Sequence, residues 1–199
     1  MAADPTTPQK STPVRKGRKI RFVGAIVLAC VVVLWLIFRP VADDEVVLDD
    51  APKTYEPVVY DTSDWQQAST QSSDIEQLIA ELGSVATTED ALDFYGNHAT
   101  RYRYSAVHEP PLYATWSPNL LEVVWYYADT YDDEATKARS VDFAKRSFRL
   151  MSMAGGETGT NVVHQILHGT EMGVQPVGQF VLQKAACGNY RCQIVLKKS

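Results

Sequence analysis

The sequence predicts an α+β fold: a single N-terminal transmembrane helix, then a mainly helical small domain that ends in a C-terminal β-hairpin. Three observations lead to this prediction. Residues 22–38 are apolar and uncharged, several stretches after residue 73 have the apolar spacing of helices, and two β-prone runs flank a short turn near the C-terminus. The chain of 199 residues leaves room for one modest domain beyond the apolar segment.

The apolar run 22–38, FVGAIVLACVVVLWLIF, lies between Arg21 and Arg39. As a helix it would span about 25 Å, near the lower limit for a bilayer core. A cleaved signal peptide is disfavoured because no A-x-A-like site follows, and a lipoprotein signal at Cys30 is disfavoured because the run continues beyond it. A buried core helix is a further alternative for so short a run, but a helix of a soluble protein normally shows a polar face, and this run has none. We therefore predict an uncleaved signal-anchor that contacts the lipid bilayer.

Charge on the two sides orients the predicted anchor. Residues 1–21 hold six basic side chains and one acidic one, whereas residues 39–199 hold 13 basic and 23 acidic ones. The positive-inside rule then makes residues 1–21 a basic cytoplasmic tail, whose Pro, Ser and Thr content predicts disorder. We therefore predict a single-pass protein of a bacterial inner membrane with its C-terminal domain in the periplasm. An acidic distal part repels phosphate backbones, which excludes nucleic acid as the expected partner.

Residues 39–72 have the composition of a periplasmic stalk. They carry eight acidic and two basic side chains, and Pro40, Pro52 and Pro57 stiffen them. The short apolar patch at residues 58–60 could dock on a partner or on the domain itself. We place the globular domain at residues 73–199.

The domain is predicted to open with two helices. The first follows a Ser73 cap, stops at Gly83 and has an apolar side formed by Ile75, Leu78, Ile79 and Leu82. The second begins at Thr87 or Thr88, where acidic residues in the first turn complement the helix dipole. Residues 100–107 then alternate, with tyrosines on one face and Arg101 and Arg103 on the other, which predicts a short strand.

Three further helices and a hairpin are predicted to follow. Ser117-Pro118 has the pattern of a helix start, and the apolar stripe behind it comprises Leu120, Leu121, Val124, Trp125 and Ala128. The stretch KARSVDFAKRSFRLM is predicted as the next helix, and NVVHQILHG as a last one after the loop AGGETGT. The runs QFVLQKAAC and CQIVLKK are predicted to pair as a hairpin across residues 188–191.

Cys187 and Cys192 lie at the two ends of the predicted hairpin turn, where they would face one another. In an oxidising compartment they should form a structural disulfide. A redox or metal pair is the alternative, but the spacing differs from the C-x-x-C of thioredoxin-like sites.

His164 and His168 are the candidate metal ligands, because residues four apart share one face of a helix. The sequence HQILH places Gln165 where the general-base glutamate of H-E-x-x-H would be. The alternative is that both histidines are ordinary polar residues beside an apolar helix face.

Tyrosines are the candidate interaction residues, since tyrosine is enriched at protein interfaces. The candidates are Tyr102, Tyr104, Tyr126, Tyr127 and Tyr131. Core packing is the alternative role for the same side chains.

No stretch of the sequence has the pattern of a catalytic or cofactor site. The loop at residues 155–160 lacks the lysine of a phosphate-binding loop, and the acidic pairs are explained as helix starts. We therefore expect no cofactor and predict a non-enzymatic subunit or accessory factor of a bacterial envelope complex for secretion, conjugation or cell-wall assembly. Its partners would be other membrane or periplasmic proteins, or further copies in a homo-oligomer. The alternatives are a membrane-tethered periplasmic enzyme and a ligand-binding sensor.

Overall fold

The computed structural model describes residues 54–107 and 110–199, and the structural statements below concern these residues. They belong to one compact unit, Lys53–Ser199. In chain order its elements are α1 (Ile75–Ala80), β1 (Thr87–Leu92), β2 (His98–Arg103), β3 (Leu112–Ser117), β4 (Leu120–Tyr126), α2 (Glu134–Leu167), β5 (Gln175–Val177), β6 (Phe180–Gly188) and β7 (Arg191–Lys198). The strands form an antiparallel sheet in the order β1-β2-β3-β4-β7-β6-β5.

The prediction of a mainly helical domain is wrong, because a seven-stranded sheet dominates the described part of the chain. The two stretches predicted as helices from Thr87 and from Ser117-Pro118 are instead β1 and, after a turn at Pro118-Asn119, β4. Strand β4 lies in the middle of the sheet, and six of its seven residues are buried. A strand buried on both faces is a continuous apolar run, and its spacing does not distinguish it from a buried helix.

The predicted transmembrane span cannot be compared with this fold. Residues 22–38, the tail before them and the stalk as far as residue 53 lie outside the described residues. Within 54–107 and 110–199, no helix is both long enough and apolar enough to cross a bilayer.

Helix α1 forms where the spacing predicted it, although its N-cap is Asp74 and not Ser73. The Asp74 carboxylate accepts a hydrogen bond from the Glu76 backbone N–H at 3.0 Å, which satisfies a free donor of the first turn. The apolar side, including Ile75 and Leu78, is buried against the core.

The predicted fourth and fifth helices are two parts of the single element α2. Asp133 caps its start by accepting from the Thr136 N–H at 2.8 Å. The glycines of the predicted loop AGGETGT produce a kink, since Gly155 and Gly156 have non-helical backbone angles and Gly156 has a φ of 57°. Glycine adopts positive φ without the steric cost that a side chain imposes, so the chain changes direction here and then resumes the helix.

The C-terminal hairpin is confirmed, and its turn comprises only two residues. Asn189 and Tyr190 both have positive φ, 49° and 64°, as in the tight turns whose twist matches that of paired strands. The register places Cys187 directly opposite Cys192, with their Cα atoms 4.0 Å apart, and the two form a disulfide. The predicted disulfide is therefore confirmed.

Replacing both Cys187 and Cys192 with serine is expected to lower the free energy of unfolding by about 2 kcal/mol, because the disulfide closes a short loop and restricts the unfolded chain. Urea unfolding of the full chain, followed by circular dichroism, measures the change. Cys30→Ser is the matched control and should leave the urea midpoint unchanged. An unchanged midpoint in the double variant would contradict a stabilising disulfide.

The compact unit begins upstream of Ser73, where we expected the domain to start. Segment 54–72 runs beside α2, where the Ala68 N–H donates to the Ser152 hydroxyl at 3.1 Å. Its side chains Tyr60 and Trp65 are buried in the core, where Trp65 packs edge-on against Phe148 at 5.5 Å between ring centroids. The patch at residues 58–60 thus docks on the domain itself, which was one of its two expected roles.

Candidate functional site

The sheet has two different faces, and the helices pack on one of them. Side chains alternate between the faces along each strand. The face toward α2 is apolar and contributes Ala114, Leu121, Val123, Trp125, Ile194 and Leu196 to the core. The opposite face carries Glu89, Arg101, Arg103, Tyr113, Glu122 and Arg191, and we call this group the polar face. It is the candidate functional site.

Strand register brings the polar face together from residues up to 102 positions apart in the chain. Glu89 pairs with Arg101 across β1 and β2, and Arg103 pairs with Tyr113 across β2 and β3. Further along the sheet Thr115 pairs with Glu122 across β3 and β4. The polar side chains therefore form a continuous band that crosses five strands, and Arg191 on β7 ends it.

One half of the polar face is an ion pair over an aromatic ring. The Arg103 Nη2 atom donates to Glu89 Oε1 at 2.8 Å, and Arg101 Nη1 approaches the same oxygen at 3.4 Å. The hydrogen bond from Arg103 lowers the pKa of Glu89 below its usual range. The Arg101 guanidinium lies 4.5 Å from the centroid of the Tyr113 ring, within cation–π distance.

The other half is built around a buried carboxylate. The Glu122 side chain is only 8% exposed, and one of its oxygens accepts from Gln193 Nε2 at 2.5 Å and from Arg191 Nη2 at 3.4 Å. A buried charge is tolerated only where such partners compensate it. Tyr113 connects the two halves: burial raises its pKa, and the neighbouring arginines, Arg191 most strongly, oppose that shift.

The arrangement is suited to recognition of an anionic or hydrogen-bonding surface. A guanidinium has five N–H donors, and the two carboxylates use only some of the donors that Arg101, Arg103 and Arg191 offer. The three arginines outnumber the two acids, so the polar face is positive on an otherwise acidic chain. Arginine and tyrosine are also the residue types enriched among the side chains that contribute most to protein binding.

The predicted interaction tyrosines do not form one patch. Tyr104 packs against Phe143 at 5.3 Å and its hydroxyl donates to the Ile79 carbonyl, while Tyr127 is buried and donates to the Leu167 carbonyl at 3.1 Å. Both therefore serve core packing, which was the alternative role. Tyr102 lies on the same side of β2 as the core and is partly buried against it.

The remaining two tyrosines lie near the disulfide end of the sheet. Tyr126 stacks on Tyr190 with ring centroids 6.1 Å apart, and its hydroxyl donates to Asp132 at 2.8 Å. Burial and this neighbouring carboxylate raise the pKa of Tyr126 well above its usual value. Tyr131 is largely exposed. Of the five tyrosines, these two remain the candidates for contact with a partner.

The candidate metal ligands His164 and His168 lie at the C-terminal end of α2. The rings of His164 and His168 stack with centroids 4.2 Å apart, and His168 Nδ1 is 2.7 Å from the His164 carbonyl oxygen. Within the residues that the structure describes, no group of three or more His, Cys, Asp or Glu side chains is placed to hold a metal ion.

A pocket of about 310 Å³ lies at the opposite end of the sheet, beside the β1–β2 turn. Asp93 contributes a carboxylate to its lining, and both of the carboxylate oxygens accept hydrogen bonds. Oδ1 accepts from the Tyr95 and Asn97 backbone N–H groups at 2.9 Å, and Oδ2 accepts from the Ser117 hydroxyl at 2.9 Å. Asp93 therefore stabilises the β1–β2 turn through the hydrogen bonds that both of its oxygens accept.

The sequence contains a signal for the polar face, which is the alternation of Arg101 and Arg103 with tyrosines. The prediction does not include Glu122 and Arg191, because it places a helix where β4 lies and so loses the register that joins them. Comparison of the chain with protein-family models, curated proteins and solved structures finds no match to any of them. We therefore infer the role of the polar face from its geometry.

Proposed function

We propose that this protein is a membrane-anchored, non-enzymatic subunit or accessory factor of a bacterial envelope complex, and that its polar face binds another protein of that complex. Secretion, conjugation and cell-wall assembly systems are the complexes that use such parts. The anchor at residues 22–38 would hold the domain at the inner membrane, with residues 1–21 in the cytoplasm.

The observation that carries this proposal is the composition of the polar face. It presents arginines and a tyrosine, fixed by internal ion pairs, on the side of the sheet opposite the apolar core. Side chains that are already held in place lose little conformational entropy when a partner binds. The excess of arginines on the polar face favours the acidic surface of a protein as the partner, and the acidic balance of the whole chain disfavours a nucleic acid.

Two further features agree with a periplasmic location. A disulfide persists in oxidising compartments and is rare in the cytosol of most bacteria, and the Cys187–Cys192 bond is of the structural kind that links two paired strands. The excess of basic residues before residue 22 gives the same orientation by the positive-inside rule.

Arg191→Ala should weaken the complex by about tenfold, in the range found when an arginine that contributes strongly to an interface is truncated. The measurement is co-purification of the full chain with its partners in mild detergent, quantified by mass spectrometry. Arg191 is suited to this test because it is half-exposed and Glu122 keeps its bond from Gln193 when Arg191 is removed. The matched control is Arg139→Ala, the same change at an exposed position of α2.

Retention of all partners by both variants would contradict a role for the polar face. A full chain that purifies alone under every mild detergent condition would contradict the proposed function itself. Unfolding curves of both variants, compared with the unmodified chain, separate lost binding from lost folding.

A further inference from the structure

We propose that strand β1 binds an extended, basic segment of another protein, which adds to the sheet as a further strand. The site is the free side of β1, from Thr87 to Leu92. Its specificity depends on Thr88, Asp90 and Leu92, whose side chains lie on the side of the sheet opposite the polar face. It depends on the proposed function only in that the domain works by binding other proteins.

In the part of the chain that the structure describes, strand β1 ends the sheet, because it pairs with β2 on one side only. In an antiparallel pair, every second residue directs its N–H and C=O groups to the neighbour. The Asp93 N–H donates to the Asn97 carbonyl at 2.8 Å. By the same alternation, the N–H and C=O groups of the odd-numbered residues of β1 face β2. The backbone groups of Thr88, Asp90 and Leu92 therefore point away from β2 and provide a row of donors and acceptors for an added strand.

Apolar side chains are exposed at both ends of this edge. Leu92 is 62% exposed, and Phe94 in the following turn and Val85 just before the strand are also well exposed. Large apolar side chains grouped around a free edge favour association, since covering them removes apolar surface from water. They would supply contact area on either side of the new hydrogen bonds.

The exposed acidic side chain of Asp90 on this edge favours a basic partner. Glu89 is already neutralised on the polar face by Arg101 and Arg103. Asp90 points to the other face, its side chain is 93% exposed, and its neighbour His98 lies 3.8 Å away and is itself largely exposed. A lysine or arginine directly opposite Asp90 on an added strand would form a favourable cross-strand pair.

A second copy of this chain is a poor occupant for the same reason. Two β1 strands related by a two-fold axis along their full length would pair outward-facing residues with outward-facing residues. Asp90 would then stand directly opposite Asp90 of the second copy, and like charges in that position destabilise a sheet. The edge therefore favours a different chain over self-pairing.

The partner segment can be described by its side chains. Thr88, Asp90 and Leu92 lie on one face of β1. The added strand would carry a β-branched residue opposite Thr88, a basic residue opposite Asp90 and an apolar residue opposite Leu92. Only alternate positions of the segment meet these side chains, so the residues between them are less restricted.

Hydrogen exchange of the full chain in detergent tests the site directly. The probe is a capped nine-residue peptide of alternating valine and threonine with one lysine at its centre, and the matched peptide carries glutamate instead. At a lysine-peptide concentration about ten times its Kd, exchange of the β1 amides should slow by about tenfold. The glutamate peptide should have little effect, and Asp90→Lys should reverse the preference between the two peptides.

Three outcomes of the peptide measurements would overturn the proposal. They are an unchanged exchange rate in β1 at millimolar peptide, equal slowing by the two peptides, and an Asp90→Lys variant that keeps the original preference. Slowing that needs no peptide and grows with protein concentration would show that a second copy occupies the edge, which also contradicts it. The peptide comparison depends on Asp90, whose side chain points away from the polar face, whereas the co-purification depends on Arg191, so the two experiments can fail independently.

Discussion

Trp65→Ala is expected to lower the free energy of unfolding by about 3–5 kcal/mol, the cost typical for truncating a large aromatic side chain in a core. Trp65 is 8% exposed and packs edge-on against Phe148 of α2. Its ring also lies 6.4 Å from that of Tyr60, whose hydroxyl hydrogen-bonds the Ser140 hydroxyl. Removal of the indole would leave a cavity between segment 54–72 and the helix.

Val59→Ala in the same segment is the matched control. Val59 is 88% exposed, so this truncation should change stability by no more than about 0.5 kcal/mol. Urea unfolding followed by circular dichroism measures both variants without depending on the indole signal. If Trp65→Ala unfolded at the same urea concentration as the unmodified chain, segment 54–72 would behave as a free stalk and its place in the core would be refuted.

Gly159→Ala should be the second strongly destabilising substitution, with an expected cost of about 3 kcal/mol, the upper part of the range for overpacking. Beyond the kink of α2 the backbone of Gly159 comes so close to Met151 that a Cβ atom would lie 1.8 Å from the Met151 carbonyl oxygen. A backbone oxygen cannot rotate away as a flexible side chain can. The two parts of α2 would have to separate, and the buried contacts of both would loosen.

Gly173→Ala is the control for this prediction, because nothing lies within 4 Å of the Cβ that it would add. Thermal unfolding of the two variants beside the unmodified chain is the measurement. A Gly159→Ala variant that melts at the temperature of the control would show that the close approach at the kink is not needed by the fold.

Local patterns allowed correct prediction of the hairpin and its disulfide. Two β-prone runs, a turn of two residues and a cysteine on each side lie within one short stretch, so the residues that decide the structure are neighbours in the chain. The α1 spacing and the glycines that interrupt α2 were recognisable for the same reason, although the glycines produce a kink where a loop was expected.

Strands β1 and β4 were missed because their local signals favour the wrong element. Glu89 and Asp90 resemble the acidic first turn of a helix, but tertiary structure uses Glu89 to bind two arginines of the next strand. Ser117-Pro118 resembles a helix cap, but it ends β3 and turns into β4. In both places strand pairing outweighs the weak preference of the segment by itself.

The candidate site was only partly predictable. Tyr104 and Tyr127 were sensible interface candidates by residue type, yet the fold uses both hydroxyls to bind backbone carbonyls inside the domain. Whether a tyrosine packs inside or meets a partner depends on which face of which strand it occupies. The helix predicted at β4 does not define these faces.

The sequence by itself determined the hairpin, its disulfide and the charge asymmetry, because each depends on composition or on residues close together in the chain. Only the tertiary structure decided that segment 54–72 belongs to the core, that β4 is a central strand, and that Glu89, Tyr113 and Arg191 share one face. The physical reason is that strand pairing joins distant residues through backbone hydrogen bonds, which every residue except proline offers equally. The choice among pairings is made by burial of the whole sheet, and no single stretch of the chain contains that information.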